Sequence, residues 1–179
     1  MTIQPEILLN FEVFSQLTQS KLKAVADKGE INEYDSNEVI FHQNDKAKEF
    51  FCLLEGRVEL NFVFKDLQFK TDVKHEDYVI QSHEIIERPL TLEALEAGSM
   101  FGWSSMVSQN EYTATAQSIT NSRVFVIDSL ELKGILDADP EVGYVFMKQL
   151  ADIIGKRLNR MTAKLAESWT EAFGVNNIY

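Results

Sequence analysis

Lysine and arginine are scarce in this chain. Together they number 17, against 28 aspartates and glutamates, for a formal net charge of −11. Binding to nucleic acid or to an anionic lipid surface draws on clustered cations. Neither a nucleic-acid nor a membrane partner is therefore expected. Cysteine is scarcer still. Cys52 stands alone inside the run FFCLL. One thiol excludes an internal disulfide and cannot hold an iron–sulfur cluster. In an apolar run it reads as a core residue in a chain suited to a reducing compartment. The opening, MTIQPEILLNF, lacks the basic stretch of a secretory signal. No apolar run approaches the ~20 residues of a membrane-spanning helix. A cytoplasmic location is expected.

Patterns of catalysis are missing too. The histidines are His42, His75 and His83. They include no His-x-His pair with a later Glu and His, the ligand pattern of metal-dependent β-barrel enzymes. There is no nucleophile elbow, no Ser-His-Asp order and no glycine-rich phosphate loop. No catalytic residue and no metal are expected. A barrel enzyme using His42 and nearby carboxylates stands as the least favoured reading. His75 and His83 fall in a charged stretch and read as solvated.

What is present is enough to build one domain. A chain of 179 residues, 45% of them hydrophobic, buries roughly 70% of its unfolded surface without staples. Apolar residues at helical spacing predict a short helix near 5–10 and another near 19–27, with Gly29 as the stop. Short strand-like runs follow: EINEY, EVIFH, EFFCLLE and RVELNFVF. Asp35-Ser36-Asn37, Gln43-Asn44-Asp45 and Glu55-Gly56 separate them as turns. Closely spaced short strands argue for a sandwich or barrel. The charged stretch 65–88 reads as a long, exposed hairpin or excursion between two strands, and LTLEALEAG returns to the core. YTATAQSI and SRVFVID are two further strands.

From Ser129 the period becomes helical. SLELKGIL is a short helix. Asp139 is a plausible N-cap with Pro140 at the first helical position, and the helix is expected to run from 140 to about 170. Along it Met147, Ala151, Ile154, Leu158, Met161 and Leu165 follow alternating steps of four and three. That is the seam of a coiled coil held for nearly three heptads. Phe146, Leu150 and Ile153 form an adjacent stripe. One stripe suits the body of the domain and the other a partner helix, so a homodimer is expected.

In this order the elements are helices, a β-roll, a turn holding a short helix, two strands and a long helix. The chain resembles the cyclic-nucleotide-binding domains of catabolite-activator-type regulators over roughly residues 8–165. LLNFEVFSQLTQSKLKAVADKGE is similar to the family's leading helices. NEVIFHQNDKAKEFFCLLEGRVEL is similar to its G-E-V-I-F…G-D…G-x-V run, with Asn37 and Asn44 at two of the glycine positions and Gly56 kept. Asn is the best substitute for Gly at a left-handed position. SRVFVIDSLELKGILDADPEVG is similar to the final strand and the start of the dimer helix. The resemblance implies a mainly β fold with flanking α: a jelly-roll or double-stranded β-helix with N-terminal helices (1–137), followed in the same domain by the C-terminal helix and tail (138–179). Relatives of this type continue into a helix-turn-helix domain, and none is expected here.

The resemblance also places the family's phosphate-binding cassette on FGWSSMVSQNEYTATA, residues 101–116. In nucleotide-binding members a Gly-Glu pair opens a short helix, the Glu holding the ribose and a later Arg the cyclic phosphate. Such an anion suits a bidentate cation and donors at a helix N-terminus. Here Phe101 and Gly102 match. Trp103 replaces the Glu, and Tyr112, or Glu111 on a loop one residue shorter, replaces the Arg. GWSSM resembles a GWSAL-type variant cassette, in which an Arg usually precedes the Tyr-Thr pair. Glu111 departs even from that. Losing a buried charge-assisted contact costs on the order of two decades in affinity. The donors left are the helix N-terminus, Ser104, Ser105, Thr113 and Thr115. Trp103 either stacks on a flat ligand or fills the ribose space as a plug, the plug being preferred. Tyr112 either donates to an anion or packs on the roll. A cyclic nucleotide is possible as ligand but not expected with the usual affinity. The expectation is a non-catalytic regulatory module that binds another small molecule or a protein partner. The alternative is a cyclic-nucleotide receptor with a non-standard pocket.

Overall fold

Gly29 ends one helix and opens the first strand, and the chain changes character there as the sequence suggests. The computed structural model describes residues 3–75, 78–108 and 110–173. They divide into two compact units, Met1–Glu30 with Ile127–Tyr179, and Ile31–Val126.

The first unit is helical. It opens with 3-10 turns at Pro5–Asn10 and Glu12–Phe14, the second not foreseen from sequence, and continues into helix α1, Gln19–Lys28. Helices α2, Ser129–Asp137, and α3, Pro140–Phe173, complete it. The carboxylate of Asp128 accepts the N–H groups of Leu130 and Glu131 at 2.8 and 3.3 Å and caps α2. Asp139 does the expected work for α3, accepting the Val142 N–H at 3.4 Å. Its partner Lys21 lies 3.4 Å away. Leu8, Phe11, Phe14, Leu22, Val25, Leu132, Phe146 and Leu150 form the buried interior. The Phe14 and Phe146 rings meet at 5.6 Å, and Gln149 donates to Ser15 Oγ at 3.2 Å.

Helix α3 has two faces. Phe146 and Leu150 are buried, whereas Met147, Leu158, Met161 and Leu165 are 42, 62, 42 and 67% exposed. Ala151 is also exposed and Ile154 half-buried. The seam read from sequence is thus the face that the single chain leaves to solvent, and Tyr144 and Trp169 extend it at either end.

The second unit is a β-roll. Its strands are β1 (Gly29–Tyr34), β2 (Val39–Phe41), β3 (Glu49–Glu55), β4 (Arg57–His75), β5 (Tyr78–Glu96), β6 (Met100–Phe101), β7 (Thr115–Ser118) and β8 (Ser122–Asp128). They form two four-stranded sheets, ordered β1-β8-β3-β6 and β2-β7-β4-β5. Between them lie Phe41, Phe51, Leu53, Val58, Leu95, Phe101, Ala116, Val124 and Val126. Cys52 is fully buried, and burial pushes its thiol well up, as expected for a core cysteine. The charged stretch is a hairpin: β4 and β5 pair from Arg57↔Glu96 to His75↔Tyr78. The side chains of His75 and His83 lie outside the described residues.

Asn37 and Asn44 take φ of 68° and 69°. Both sit in left-handed turns, where Asn is the cheapest replacement for Gly. Gly56, at φ +93°, joins β3 to β4 so closely that an added Cβ would come within 2.6 Å of the Asn121 carbonyl. Gly56→Ala is expected to cost about 2–4 kcal/mol, from left-handed strain plus overpacking. Urea unfolding checks this. An unchanged midpoint would mean that the turn has another shape available.

Candidate functional site

The quoted cassette begins at the edge strand β6 and ends at β7. Gly102 has φ +74° and lies under the Phe51 ring, so a Cβ there would meet Phe51 Cδ2 at 2.5 Å and the Glu49 carbonyl at 3.0 Å. The turn it makes leads into a single 3-10 turn, Trp103–Met106. Ser105 is fully buried, and both its N–H and its hydroxyl donate to the Gly102 carbonyl, at 3.0 and 2.8 Å. Ser104 is buried and Trp103 half-buried. The helix is one turn long, and the Ser105 donors, expected to serve a ligand, close the turn itself.

The other end of the cassette differs more from expectation. The alternation of YTATAQSI predicts a strand over 112–119, but β7 covers only Thr115–Ser118. Residues 110–112 instead zip against the turn before β3. The Asn44 N–H donates to the Tyr112 carbonyl at 2.8 Å, the Tyr112 N–H to the Asp45 carbonyl at 3.0 Å, and the Ala47 N–H to the Asn110 carbonyl at 2.8 Å. Lys46 and Glu111 form the isolated bridge between them. Glu111 and Thr113 are exposed, while Ala114 and Ala116 are buried. The Thr and Ala sides of the alternation therefore separate. Thr115 is half-buried, and its Oγ1 accepts the Gln43 N–H at 3.0 Å.

Tyr112 is the centre of this arrangement. It is 4% exposed, stacked on Phe41 at 3.7 Å between centroids, and 6.3 Å from Phe51. Phe51 in turn stacks on Phe101 at 4.9 Å. One aromatic cluster thus joins the first residue of the cassette, Phe101, to Tyr112 near its other end. The Tyr112 hydroxyl accepts the Glu49 N–H at 3.2 Å and donates to the Glu49 carbonyl at 3.1 Å. Burial pushes the phenol up to about 12, and the carboxylates of Glu49 and Asp45 reinforce the shift. Of its two expected roles, packing on the roll is the one the geometry displays. The contributions of Phe41, Gln43 and Glu49 were not legible beforehand. They act through contacts 63 to 72 residues away in sequence, for which no local signal exists.

Fold and cassette together define a β-roll with a short helical turn between β6 and β7, and comparison with known proteins gives its family. The chain belongs to the cyclic nucleotide-binding domain family, whose model matches residues 31–139. It is 28% identical to a candidate cyclic nucleotide-binding protein of Geobacter metallireducens, covering 87% of this chain and 98% of that one, with a TM-score of 0.67. The catabolite activator protein of Thermus thermophilus shares the fold, at 19% identity and a TM-score of 0.61, over 89% of this chain and 64% of that one. A candidate potassium channel protein of Rhodopseudomonas palustris is 20% identical over 153 residues, 86% of this chain. The chain spans about a third of that relative's length (32%). Among the described residues no helix is long and apolar enough to cross a membrane.

Proposed function

We propose that this chain is a non-catalytic regulatory module whose cassette keeps the family's shape without its grip on cyclic AMP, and that it works as a homodimer joined through α3. The observation that carries the first part is Tyr112. Where a phosphate anchor would have to project, a buried ring lies flat on Phe41 with its hydroxyl taken up by Glu49. A neutral phenol held this way offers no cation, and Glu111 beside it adds negative charge. The homodimer rests on the exposed seam of α3. If the module signals, its ligand or partner must favour one arrangement of these helices over another, because equal affinity for both shifts nothing.

Calorimetric titration with cyclic AMP and cyclic GMP, backed by thermal melting, tests this reading. Ligand at 100 times Kd would add about 2.7 kcal/mol of apparent stability. Neither heat nor a shift in melting temperature is expected up to millimolar nucleotide. Micromolar binding that disappears in Trp103→Ala would overturn the proposal. It would favour the alternative of a receptor rebuilt around stacking on the half-buried indole.

A further inference from the structure

The hairpin β4–β5 leaves its sheet at a defined point. Strand β4 pairs with β7 only from Val58↔Ser118 to Asn61↔Thr115. At that same place the β4–β5 register slips between Leu60 and Asn61: Glu93 faces Leu60, Thr91 faces Asn61, and Leu92 is the extra residue. A bulge of this kind bends the ribbon and increases its twist. The Thr91 hydroxyl donates to Asn61 Oδ1 at 2.8 Å across the slip. Beyond it, no strand among the described residues covers the far edge of β4.

The first amide past this point is nonetheless held. The Val63 N–H donates to the side-chain carbonyl of Gln43 at 2.8 Å. Gln43 is fixed in turn, its own N–H donating to Thr115 Oγ1 at 3.0 Å. Thr115 is the first residue of β7, three residues past the end of the zipped segment 110–112. A continuous chain of contacts therefore runs from the exit of the cassette, through the backbone and then the side chain of residue 43, to the root of the ribbon.

We infer that Gln43 is a clasp that couples the cassette to the β4–β5 ribbon. It replaces the strand that β4 lacks past Asn61, and the Thr115 hydroxyl is the bond that ties its own backbone N–H to β7. A displacement of Thr115 shifts the Gln43 amide and loosens its hold on Val63; an acceptor that receives a hydrogen bond from the Thr115 hydroxyl polarises it, makes the oxygen a better acceptor for the Gln43 N–H and tightens the clasp. The coupling is independent of which ligand the cassette takes, if any, so it stands or falls apart from the function proposed above.

Hydrogen exchange on the full chain tests it. One net hydrogen bond corresponds to about a five- to tenfold change in opening. Gln43→Ala is expected to speed exchange at 62–65 and at 88, 90 and 91 by that factor, with strands β3 and β8 within about twofold of wild type. Thr115→Val, which keeps the shape and removes the hydroxyl, should act in the same direction. Gln43→Glu, which keeps an acceptor for Val63, should stay near wild type. An unchanged ribbon root in Gln43→Ala would overturn the clasp, as would Gln43→Glu exchanging as fast as Gln43→Ala. A silent Thr115→Val would overturn the link to the cassette. Uniform acceleration across the roll would reduce Gln43 to a general stability residue and overturn the inference as well.

Discussion

Leu158→Lys combined with Leu165→Lys is expected to convert the proposed dimer into a folded monomer. Both side chains sit on the open face of α3, 62 and 67% exposed in the single chain, so neither substitution removes a contact that the chain needs to fold. In a parallel or antiparallel helix pair each leucine becomes buried, and full burial is worth about 1.5–3 kcal/mol per side chain. Two residues on each of two helices therefore carry most of the association energy, and the ammonium groups would have to be dehydrated besides. The dissociation constant should rise by about a thousandfold or more. Sedimentation or light scattering reads the mass, while circular dichroism should show the helix unchanged. Phe146→Ala provides the contrast. Its ring is fully buried against Phe14, so it should destabilise the helical unit by about 3–5 kcal/mol. A wild-type protein that sediments as a monomer at micromolar concentration would sink the dimer and leave the seam for a different partner.

Some of this architecture is written locally and some is not. The turns at Asn37 and Asn44 were legible because few side chains tolerate φ near +68°. The start of α3 was legible because Asp139-Pro140 combines a capping carboxylate with a residue that has no N–H to lose. The two stripes of α3 followed from spacing, since a helix fixes which residues share a face. The hairpin at 65–88 was visible as an excursion, yet spacing gave no hint that β4 and β5 run 19 residues each. The strand at YTATAQSI was overextended for a physical reason. Its alternation is real, but at Tyr112 stacking on Phe41 and bonding to Glu49 outweigh continued sheet pairing. The same cause separates the cassette as read from the cassette as folded: Ser105 and Thr115 were read as ligand donors, and in the fold the Ser105 hydroxyl donates to the Gly102 carbonyl while Thr115 Oγ1 accepts the Gln43 N–H.

Tyr112 therefore offers the largest single-residue effect in the roll. Placing a cation there, as Tyr112→Arg, is expected to unfold the roll instead of creating a phosphate site. The position is 4% exposed, and an uncompensated buried charge costs about 3–5 kcal/mol, added to the loss of the ring from its stack. Tyr112→Phe separates the hydroxyl from the ring. It keeps the stack but removes both hydrogen bonds between the hydroxyl and the Glu49 backbone, so it should cost about 1–2 kcal/mol at neutral pH. It should also change the alkaline limb of stability. The buried phenol ionises near 12, whereas in the unfolded chain it ionises near 10. Between those values the unfolded state has released a proton that the native state still binds, so stability falls as pH rises. The contribution is fully present below pH 10, and about 2–3 kcal/mol of it is gone by pH 12. Urea titrations at pH 8 through 11.5 should show the wild type losing stability faster than Tyr112→Phe. Parallel curves would mean that the phenol is not held as the structure places it. A stable Tyr112→Arg protein that gains cyclic AMP binding would mean that the ring is a removable occupant of a working pocket.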